Sequence, residues 1–337
     1  MKLMTGKQRY IAMLHGESVE FVPRIPILMQ FAADHIGATY GAFCSDYRVK
    51  AEGNIRCAED FGLDLVGVMS DPYSETQGYG AEIVFLDKGV PQCPHPPLEN
   101  STDLTQLPTP NPLKSVRMLN TVNTIRAYRQ RAGDVYSILG WVEGPAAEAA
   151  DLRGVNQFLL DLMDDPSWCG KLMERCVDVA IEYARAQVNA GADTIGIGDA
   201  IASQVSRQLY EEQILPREQR LVRAIKSMGA FVRLHICGNI THLLDGIATL
   251  SLDVLDVDHM VDMALVRRKV GPRVALAGNL DPVSGVLRST PAGIRERIRR
   301  DYALVGNPFL VNAGCEIPPG TPPENLRALC EPLPYQQ

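Results

Sequence analysis

Apolar and polar residues along the chain follow two patterns that alternate over most of its length. Short runs rich in β-branched residues predict strands, and between them apolar residues recur every three or four positions, as in amphipathic helices. The clearest helical stretch spans residues 168–190, and Gly191 follows it as a stop signal. Thr290 and Pro291 form an N-cap and a first-position proline for another helix, at residues 291–304. The predicted strands are residues 24–29, 63–69, 135–142, 194–197, 231–236, 254–257, 274–277 and 309–312.

Eight strands with helices between most of them predict a parallel sheet, because parallel neighbours need long crossover connections. Eight such units that close on themselves form a (β/α)8 TIM barrel, an α/β fold that suits a single domain of 337 residues. An open doubly wound sheet is the alternative, but no G-x-G-x-x-G motif follows an early strand. Residues 92–112 hold six prolines. They are interpreted as an insertion within one domain of residues 1–337, because the strand–helix alternation continues after them.

Composition and charge exclude several classes of protein. Hydrophobic residues make up 46% of the chain, enough for a large core and too many for a disordered protein. The net charge is −7 and no basic run exceeds three residues, so binding to nucleic acid is not expected. No apolar stretch approaches the roughly 18 residues of a membrane span, and the charged first residues do not resemble a signal peptide. The protein is therefore expected in the cytoplasm, where its eight cysteines are either buried thiols or functional groups.

Polar residues follow most of the predicted strands, and in a barrel the carboxyl ends of the strands form the active-site face. Any one of these residues can be a simple cap at the end of its strand. A ring of such groups on one face, however, is what a binding site requires. The set comprises Asp71, Glu143, Asp199, His235, Cys237, Asp258, His259, Asn279, Asp281, Cys315 and Glu316.

The most specific prediction from these residues is a metal site. His235 and Cys237 are two positions apart on one strand end and so face the same side, and Cys315 follows the last predicted strand, which closure brings to the same rim. Two sulfurs and one imidazole are a typical zinc donor set, and three protein ligands leave one exchangeable position. Asp258 or His259 is the nearest candidate for a fourth ligand. The competing interpretation is a core histidine beside two buried thiols.

The expected chemistry follows from the donor set. Zinc bound by two thiolates is a weak Lewis acid for water, but it suits capture of an incoming thiol, which then loses its proton. A free thiol has a pKa of about 8.5 and is mostly protonated at neutral pH. The donor set therefore predicts a thiolate nucleophile for alkyl transfer.

At these motifs the chain resembles the uroporphyrinogen decarboxylase superfamily, and within it the methylcobamide:coenzyme M methyltransferases. The resemblance implies the (β/α)8 fold. It also implies zinc ligands at His235, Cys237 and Cys315, with a displaceable acidic ligand at or next to Asp258. The matching stretches, in family order, are residues 70–85, 143–154, 198–203, 235–245, 278–283 and 313–329.

Three places favour the methyltransferases over the decarboxylases. The decarboxylases hold substrate carboxylates with an early R-Q-A-G-R segment, whereas residues 29–40 of this chain contain no arginine. Asp151 stands where the decarboxylases have a tyrosine, and Cys315 replaces the histidine of their G-H-G motif. Without the arginines, the charge-assisted hydrogen bonds that hold a porphyrinogen are lost.

The methyltransferase resemblance implies zinc-dependent transfer of a methyl group between a methyl-corrinoid and a small thiol such as coenzyme M. The corrinoid, a cobalamin-type co-substrate, is usually carried on a partner corrinoid protein. The resemblance further implies catalytic roles for Asp71 and Asp199, as groups that orient the substrate or support the metal. It implies substrate contacts from Glu143, Asn279 and Asp281.

Several alternatives stay open from the sequence. The chain could be a decarboxylase of the uroporphyrinogen type, a donor-side demethylase that methylates a corrinoid protein, or a non-catalytic barrel with a structural zinc that binds such a protein. The cation that would hold the sulfonate of coenzyme M is also open. Arg24, Arg153 and Arg207 are candidates for it without a motif.

Overall fold

The computed structural model describes residues 3–336, and its core is one parallel sheet. The strands lie side by side in chain order, so that each pairs in parallel with the next one along the chain. Each connection between them contains at least one helix, which is the crossover that parallel strands need. The strands are β1 (Leu65–Gly67), β2 (Ser137–Glu143), β3 (Thr194–Gly198), β4 (Phe231–His235), β5 (Val254–Val257), β6 (Ala275–Leu280) and β7 (Phe309–Ala313).

The described part of the chain also contains fifteen α-helices, and none of them has the length and apolarity that crossing a membrane requires. The helices are α1 (Gly6–Leu14), α2 (Gln30–His35), α3 (Tyr40–Ser45), α4 (Tyr47–Phe61), α5 (Ser74–Gly78), α6 (Val116–Ala132), α7 (Pro145–Arg153), α8 (Val155–Asp164), α9 (Pro166–Ala190), α10 (Arg207–Leu209), α11 (Leu215–Ser227), α12 (Leu244–Ile247), α13 (Met263–Val270), α14 (Pro291–Val305) and α15 (Pro323–Leu329). Helices α6 and α9 pack on β2, and α11 packs on β4.

The predicted signals mark the two best-defined helices, although α9 begins at Pro166, two residues before its predicted start, and α14 extends to Val305, one residue beyond its predicted end. The Asp165 side chain accepts a hydrogen bond from the backbone at the start of α9, and Gly191 ends that helix in the left-handed conformation at φ 116°. Thr290 caps α14 by accepting from the Gly293 N–H, and Pro291 occupies the first helical position. Both helices are thus set by local sequence signals.

Residues 23–27 close the sheet between β7 and β1. The Ile25 N–H donates to the Val311 carbonyl of β7 at 2.8 Å, and the Asp64 N–H before β1 donates to the Arg24 carbonyl at 2.9 Å. The segment forms isolated parallel bridges rather than the continuous strand predicted for residues 24–29, because Pro23 and Pro26 have no N–H to donate. With this difference, the predicted α/β barrel fold is confirmed.

The strand register sets the positions of the polar strand ends. Glu143 on β2 pairs with Gly198 on β3, Gly198 pairs with His235 on β4, and His235 pairs with Asp256 on β5. The carboxyl ends of these strands therefore lie at one level, and they form the rim called here the barrel mouth. Strands β2 and β3 are buried along their whole lengths, as parallel strands covered on both sides are expected to be.

The proline-rich residues 92–112 pack on α7, which starts at the barrel mouth directly after β2. The Leu98 N–H donates to the Leu152 carbonyl at 2.8 Å. In return, the Arg153 guanidinium donates to the Leu98 carbonyl at 2.6 Å. These hydrogen bonds hold the proline-rich segment against α7, the helix that follows the carboxyl end of β2.

Candidate metal centre and barrel mouth

His235, Cys237 and Cys315 meet at the barrel mouth. His235 is the last residue of β4, Cys237 lies two residues further on, and Cys315 lies two residues after the end of β7. The imidazole Nε2 is 3.1 Å from the Cys237 sulfur and 3.7 Å from the Cys315 sulfur, and the sulfurs are 3.7 Å apart. All three donor atoms lie within 4.8 Å of one another, so a single ion can contact them all. We call these three residues the triad.

Exposure and charge distinguish the two triad cysteines from buried thiols. Both are half-buried at the mouth, which argues against the interpretation of a core histidine beside buried thiols. Hydrogen bonds from Cys237 and His235 lower the pKa of Cys315 to about 4, and the same sulfur contact raises the pKa of Cys237. Contacts within the triad therefore favour the ionised form of Cys315. The fully buried cysteines are Cys44, Cys57, Cys169, Cys176 and Cys330.

The imidazole of His235 is fixed from behind by a buried carboxylate. Its Nδ1 lies 3.0 Å from Asp256 Oδ2, and Arg233 donates to both oxygens of Asp256, at 2.7 and 2.9 Å. Burial by itself would raise the pKa of Asp256, but Arg233 and His235 lower it below its usual range. The ionised carboxylate holds the Nδ1 side of the ring, so Nε2 points to the two sulfurs.

Sequence reasoning did not identify Asp256 or Arg233. Both lie inside strands that otherwise look apolar, and each is two positions from a residue that was identified, Asp258 and His235 respectively. Since side chains two apart in a strand face the same side, this spacing is the signal that could have found them.

Asp258 lies at the mouth but outside the triad. Its Oδ2 accepts a hydrogen bond from the Gly238 N–H at 2.9 Å, and its Oδ1 accepts from the Met260 N–H at 3.0 Å. The side chain therefore ties β5 to the loop that carries Cys237. His259 contacts Asp258 at 2.9 Å. The fourth ligand remains a prediction.

Asn279 and Asp281 hold local structure at the end of β6. The Asn279 amide donates to the Val261 carbonyl at 2.9 Å, which fixes the loop after β5. Asp281 caps the π-helical turn Pro282–Leu287, since its Oδ1 accepts from the Val283 N–H at 2.8 Å. Their substrate contacts remain predictions.

Asp71 is paired with an arginine that the sequence did not single out. Arg117, in the first turn of α6, donates to both carboxylate oxygens, and Ser70 donates its hydroxyl at 2.8 Å. Burial favours a raised pKa for Asp71, but Arg117 lowers the pKa below its usual range. The buried carboxylate is therefore ionised and fully engaged. No sequence signal linked the two residues, because α6 begins only after the long proline-rich segment.

Asp199 caps the start of α7. Its Oδ1 accepts from the Ala147 N–H at 2.7 Å, and burial raises its pKa to about 7. Glu218 of α11 lies against it, and the pKa of Glu218 is likewise raised by burial and by the Asp199 charge. A Cβ on Gly144 would lie 2.5 Å from Asp199, so only glycine fits at this approach of β2 to β3. The structure thus gives Asp199 a helix-capping role, and its catalytic role stays a prediction.

Glu143 belongs to a group of four carboxyl side chains on one side of the mouth, which we call the carboxyl wall. Glu75 Oε1 accepts from the Glu143 backbone N–H at 3.0 Å, and Thr76 donates its hydroxyl to Glu148 at 3.1 Å. Burial raises the pKa of every member, and repulsion from Glu75 adds to this for the other three. The carboxyl wall comprises Glu75, Glu143, Glu148 and Asp151.

Residues 5–333 match a protein-family model described as uroporphyrinogen decarboxylase (URO-D). The match spans nearly the whole chain. The protein therefore belongs to the uroporphyrinogen decarboxylase family.

Its relatives carry two kinds of name. A methylcobamide:CoM methyltransferase of Methanosarcina mazei is 27% identical over 334 residues, with 97% of each chain covered. A uroporphyrinogen decarboxylase of Microcystis aeruginosa is 26% identical over 347 residues, also with 97% of each chain covered. Among solved structures, a methyltransferase from Methanosarcina mazei matches with a TM-score of 0.88 at 26% identity, over 97% of both chains. Overall similarity thus leaves two reactions to be distinguished by the site.

Proposed function

We propose that this protein is a zinc-dependent methyltransferase that moves a methyl group between a methyl-corrinoid, carried on a partner corrinoid protein, and a small thiol. The observation that carries the proposal is the meeting of His235, Cys237 and Cys315 at the barrel mouth. Similarity to a methylcobamide:CoM methyltransferase and to a methyltransferase structure supports it.

The triad fits zinc by its donor chemistry. Two sulfurs and one imidazole nitrogen are ligands that zinc prefers, and a set of three protein donors leaves a position for an exogenous ligand. A carboxylate behind the imidazole, as Asp256 provides for His235, is the usual support for a metal-binding histidine. When bound, the zinc would lower the pKa of a substrate thiol and so supply a thiolate at neutral pH.

The chain's own residues position this chemistry. Asp256 and Arg233 keep the His235 ring from turning, and Asp258 holds the loop after Cys237 through the Gly238 N–H. Because reaction at sulfur needs the methyl carbon and the sulfur in line, a rigid rim lowers the entropic cost of reaching that geometry.

Metal content tests the first half of the proposal. Purified protein supplemented with zinc is expected to hold about one ion per chain, and Cys237→Ala and Cys315→Ala are expected to lose it. Cys93→Ala is the matched control, because Cys93 is also half-buried but lies outside the triad. Wild-type protein with well under half an equivalent of zinc would contradict the proposal.

Activity tests the second half. Zinc-loaded protein with free methylcobalamin and a panel of thiols is expected to demethylate the cobalamin, as followed by its absorbance. A rate equal to that without protein, for every thiol, would refute the methyltransferase assignment. Turnover of uroporphyrinogen by the same preparation would instead establish the decarboxylase that the second group of relatives suggests.

A further inference from the structure

The carboxyl wall has no cationic partner within the described residues. None of Glu75, Glu143, Glu148 and Asp151 forms an ion pair or accepts a hydrogen bond from a lysine or arginine in residues 3–336. The guanidinium of Arg117, whose charge acts on Glu75, is occupied by both oxygens of Asp71. Carboxyl groups in such a place can be ionised at low cost only beside a cation, so the carboxyl wall favours a cationic ligand over an anionic one.

The three arginines named above as candidates for holding a sulfonate all form ion pairs elsewhere. Arg24 pairs with Asp64 at 2.9 Å, next to the start of β1 and so at the opposite end of the barrel from the mouth. Arg153 pairs with Asp161 at 2.6 Å and holds the proline-rich segment. The exposed Arg207 pairs with Glu211 at 2.7 Å and with Asp245 at 3.0 Å. None of the three is free to hold an anionic substrate group.

Trp141 connects Glu143 of the carboxyl wall with the triad. Its side chain is more than nine-tenths buried, with 8% exposed. Its Oε1 accepts from the Trp141 indole at 2.9 Å, but its Oε2 accepts nothing from residues 3–336. The Trp141 ring in turn lies 6.0 Å from the His235 ring, centroid to centroid. A small cavity lies beside Glu143, lined by Ser74, Glu75 and Trp141.

The strand register gives the distance between Glu143 and His235. Glu143 and His235 both pair with Gly198, so they lie two strand spacings apart, or about 9.6 Å between backbones. A small molecule held at the triad by one end thus places a group a few bonds away beside Glu143 and the face of Trp141. An ammonium group suits both, because carboxylates and indole rings both attract cations.

We propose that the thiol substrate of this site is an aminothiol, whose protonated amine is bound by Glu143 of the carboxyl wall and by Trp141. This inference rests on the proposed function and specifies its substrate class. In the reaction, the carbon–cobalt bond of the methyl-corrinoid breaks with its electron pair left on cobalt, which goes from Co(III) to Co(I). The methyl group forms a new bond to the substrate sulfur, and the thiol proton is released.

The electrostatics of the carboxyl wall favour this choice. Burial and repulsion raise the pKa of Glu143, so the wall carries bound protons when no cation is present. An entering ammonium replaces those protons and restores a buried charge pair. A sulfonate would instead lie unpaired beside carboxyl groups, which is unfavourable in a desolvated site.

Three thiols with the same two-carbon chain and different end groups separate the possibilities. Cysteamine, 2-mercaptoethanol and coenzyme M share the same two-carbon thiol and end in an ammonium, a hydroxyl and a sulfonate. With zinc-loaded protein and methylcobalamin, and with the rate without protein subtracted, kcat/KM is expected to be at least about tenfold higher for cysteamine than for coenzyme M. Glu143→Gln is expected to remove most of the preference for cysteamine over 2-mercaptoethanol, and Glu143→Asp to restore part of it. Because the variants are compared on the same thiols, differences in intrinsic thiol reactivity cancel.

A binding measurement keeps the inference separate from the proposed function. In a Trp168→Phe protein, Trp141 is the remaining tryptophan, and its fluorescence reports binding of the same three thiols. Tighter binding of cysteamine, lost in Glu143→Gln but kept in the exposed control Glu82→Gln, supports the inference even if no methyl group is transferred. Equal or tighter binding and turnover of coenzyme M would overturn the inference and leave the methyltransferase intact. Absence of turnover with every thiol would overturn the proposed function, and the binding data would still decide the inference.

Discussion

At the scale of single residues, one buried carboxylate sets the geometry of the triad. Asp256 contacts Arg233 and His235 at once, and Asn312 lies within 3.4 Å of its second oxygen. Arg233 stabilises the ionised form of Asp256, and the ionised form holds Nδ1 of His235. The orientation of Nε2 of His235 toward the two sulfurs therefore depends on a charge pair deeper in the barrel.

Replacing this carboxylate is expected to weaken metal binding without removing a ligand. Asp256→Asn keeps the shape of the side chain but loses its charge, so the imidazole is held less firmly and donates less strongly. We expect zinc affinity to fall by about 10- to 100-fold, measured by competition with a chromogenic chelator. Asp178→Asn, at a surface carboxylate, is the control. Thermal unfolding of both variants checks that they are folded, and an unchanged zinc affinity in folded Asp256→Asn would contradict the role given to Asp256.

The residues that sequence reasoning identified and those that it missed differ in a physical way. His235, Cys237 and Cys315 could be identified from two rules. Residues two apart in a strand face the same side, and closure of the barrel brings the carboxyl ends of its strands together. Arg117 could not be identified in this way, because its position beside Asp71 depends on how a long irregular segment returns α6 to the mouth. Pairings across such a segment follow from tertiary packing alone.

At the scale of elements, the start of α7 is held by a buried acid pair. Asp199 caps the helix, and Glu218 of α11 lies against it, with Tyr210 donating its hydroxyl to Glu218 at 2.5 Å. Two carboxyl groups this close and this buried cannot both be ionised at low cost. They couple the packing of α7 and α11 to pH.

This pair is expected to make stability depend on pH in a definite direction. The pKa of Asp199 is raised to about 7 in the folded protein, against about 3.9 when unfolded. Between these values the folded protein binds more protons than the unfolded one, so the pair's contribution to the free energy of unfolding falls as pH rises from about 4 to 7.

Glu218→Gln is expected to remove the part of this loss that comes from ionisation of Glu218, because the amide carries no charge and still satisfies Tyr210. The variant should gain about 1 to 3 kcal/mol over wild type at pH 8 relative to pH 5, measured by urea unfolding. The exposed Glu182→Gln is the control. A difference between variant and wild type that does not change with pH would refute this account.

At the scale of the whole molecule, the triad joins parts of the chain that are 78 residues apart. Two donors lie at the end of β4 and one follows β7, with β5 and β6 between them in the sheet. The fold could be predicted because strands and helices alternate regularly. The interruption of the predicted strand at residues 24–29 could not be predicted, because the effect of Pro23 and Pro26 depends on the hydrogen bonds that the segment makes to the strands on both sides. Metal bound at the triad therefore connects the middle of the sheet with its last strand.

Zinc is accordingly expected to stabilise the whole fold. Because zinc binds the folded form, a chelator should lower the Tm of the zinc-loaded protein by about 5 °C or more, measured by scanning calorimetry. Cys315→Ser is expected to show no response to the chelator, and Cys93→Ser to respond as the wild type does. A Tm that the chelator leaves unchanged in protein shown to contain zinc would argue against a tightly held ion at the triad.

The long separation of the triad donors also matters during synthesis. A nascent chain presents His235 and Cys237 well before the ribosome reaches Cys315, and two donors alone hold an ion weakly. A complete set of three arises only when β5, β6 and β7 have taken their places beside β4. Tight capture of an ion at the triad would therefore require that these strands are already in place, so that bound metal would report a sheet that has been built.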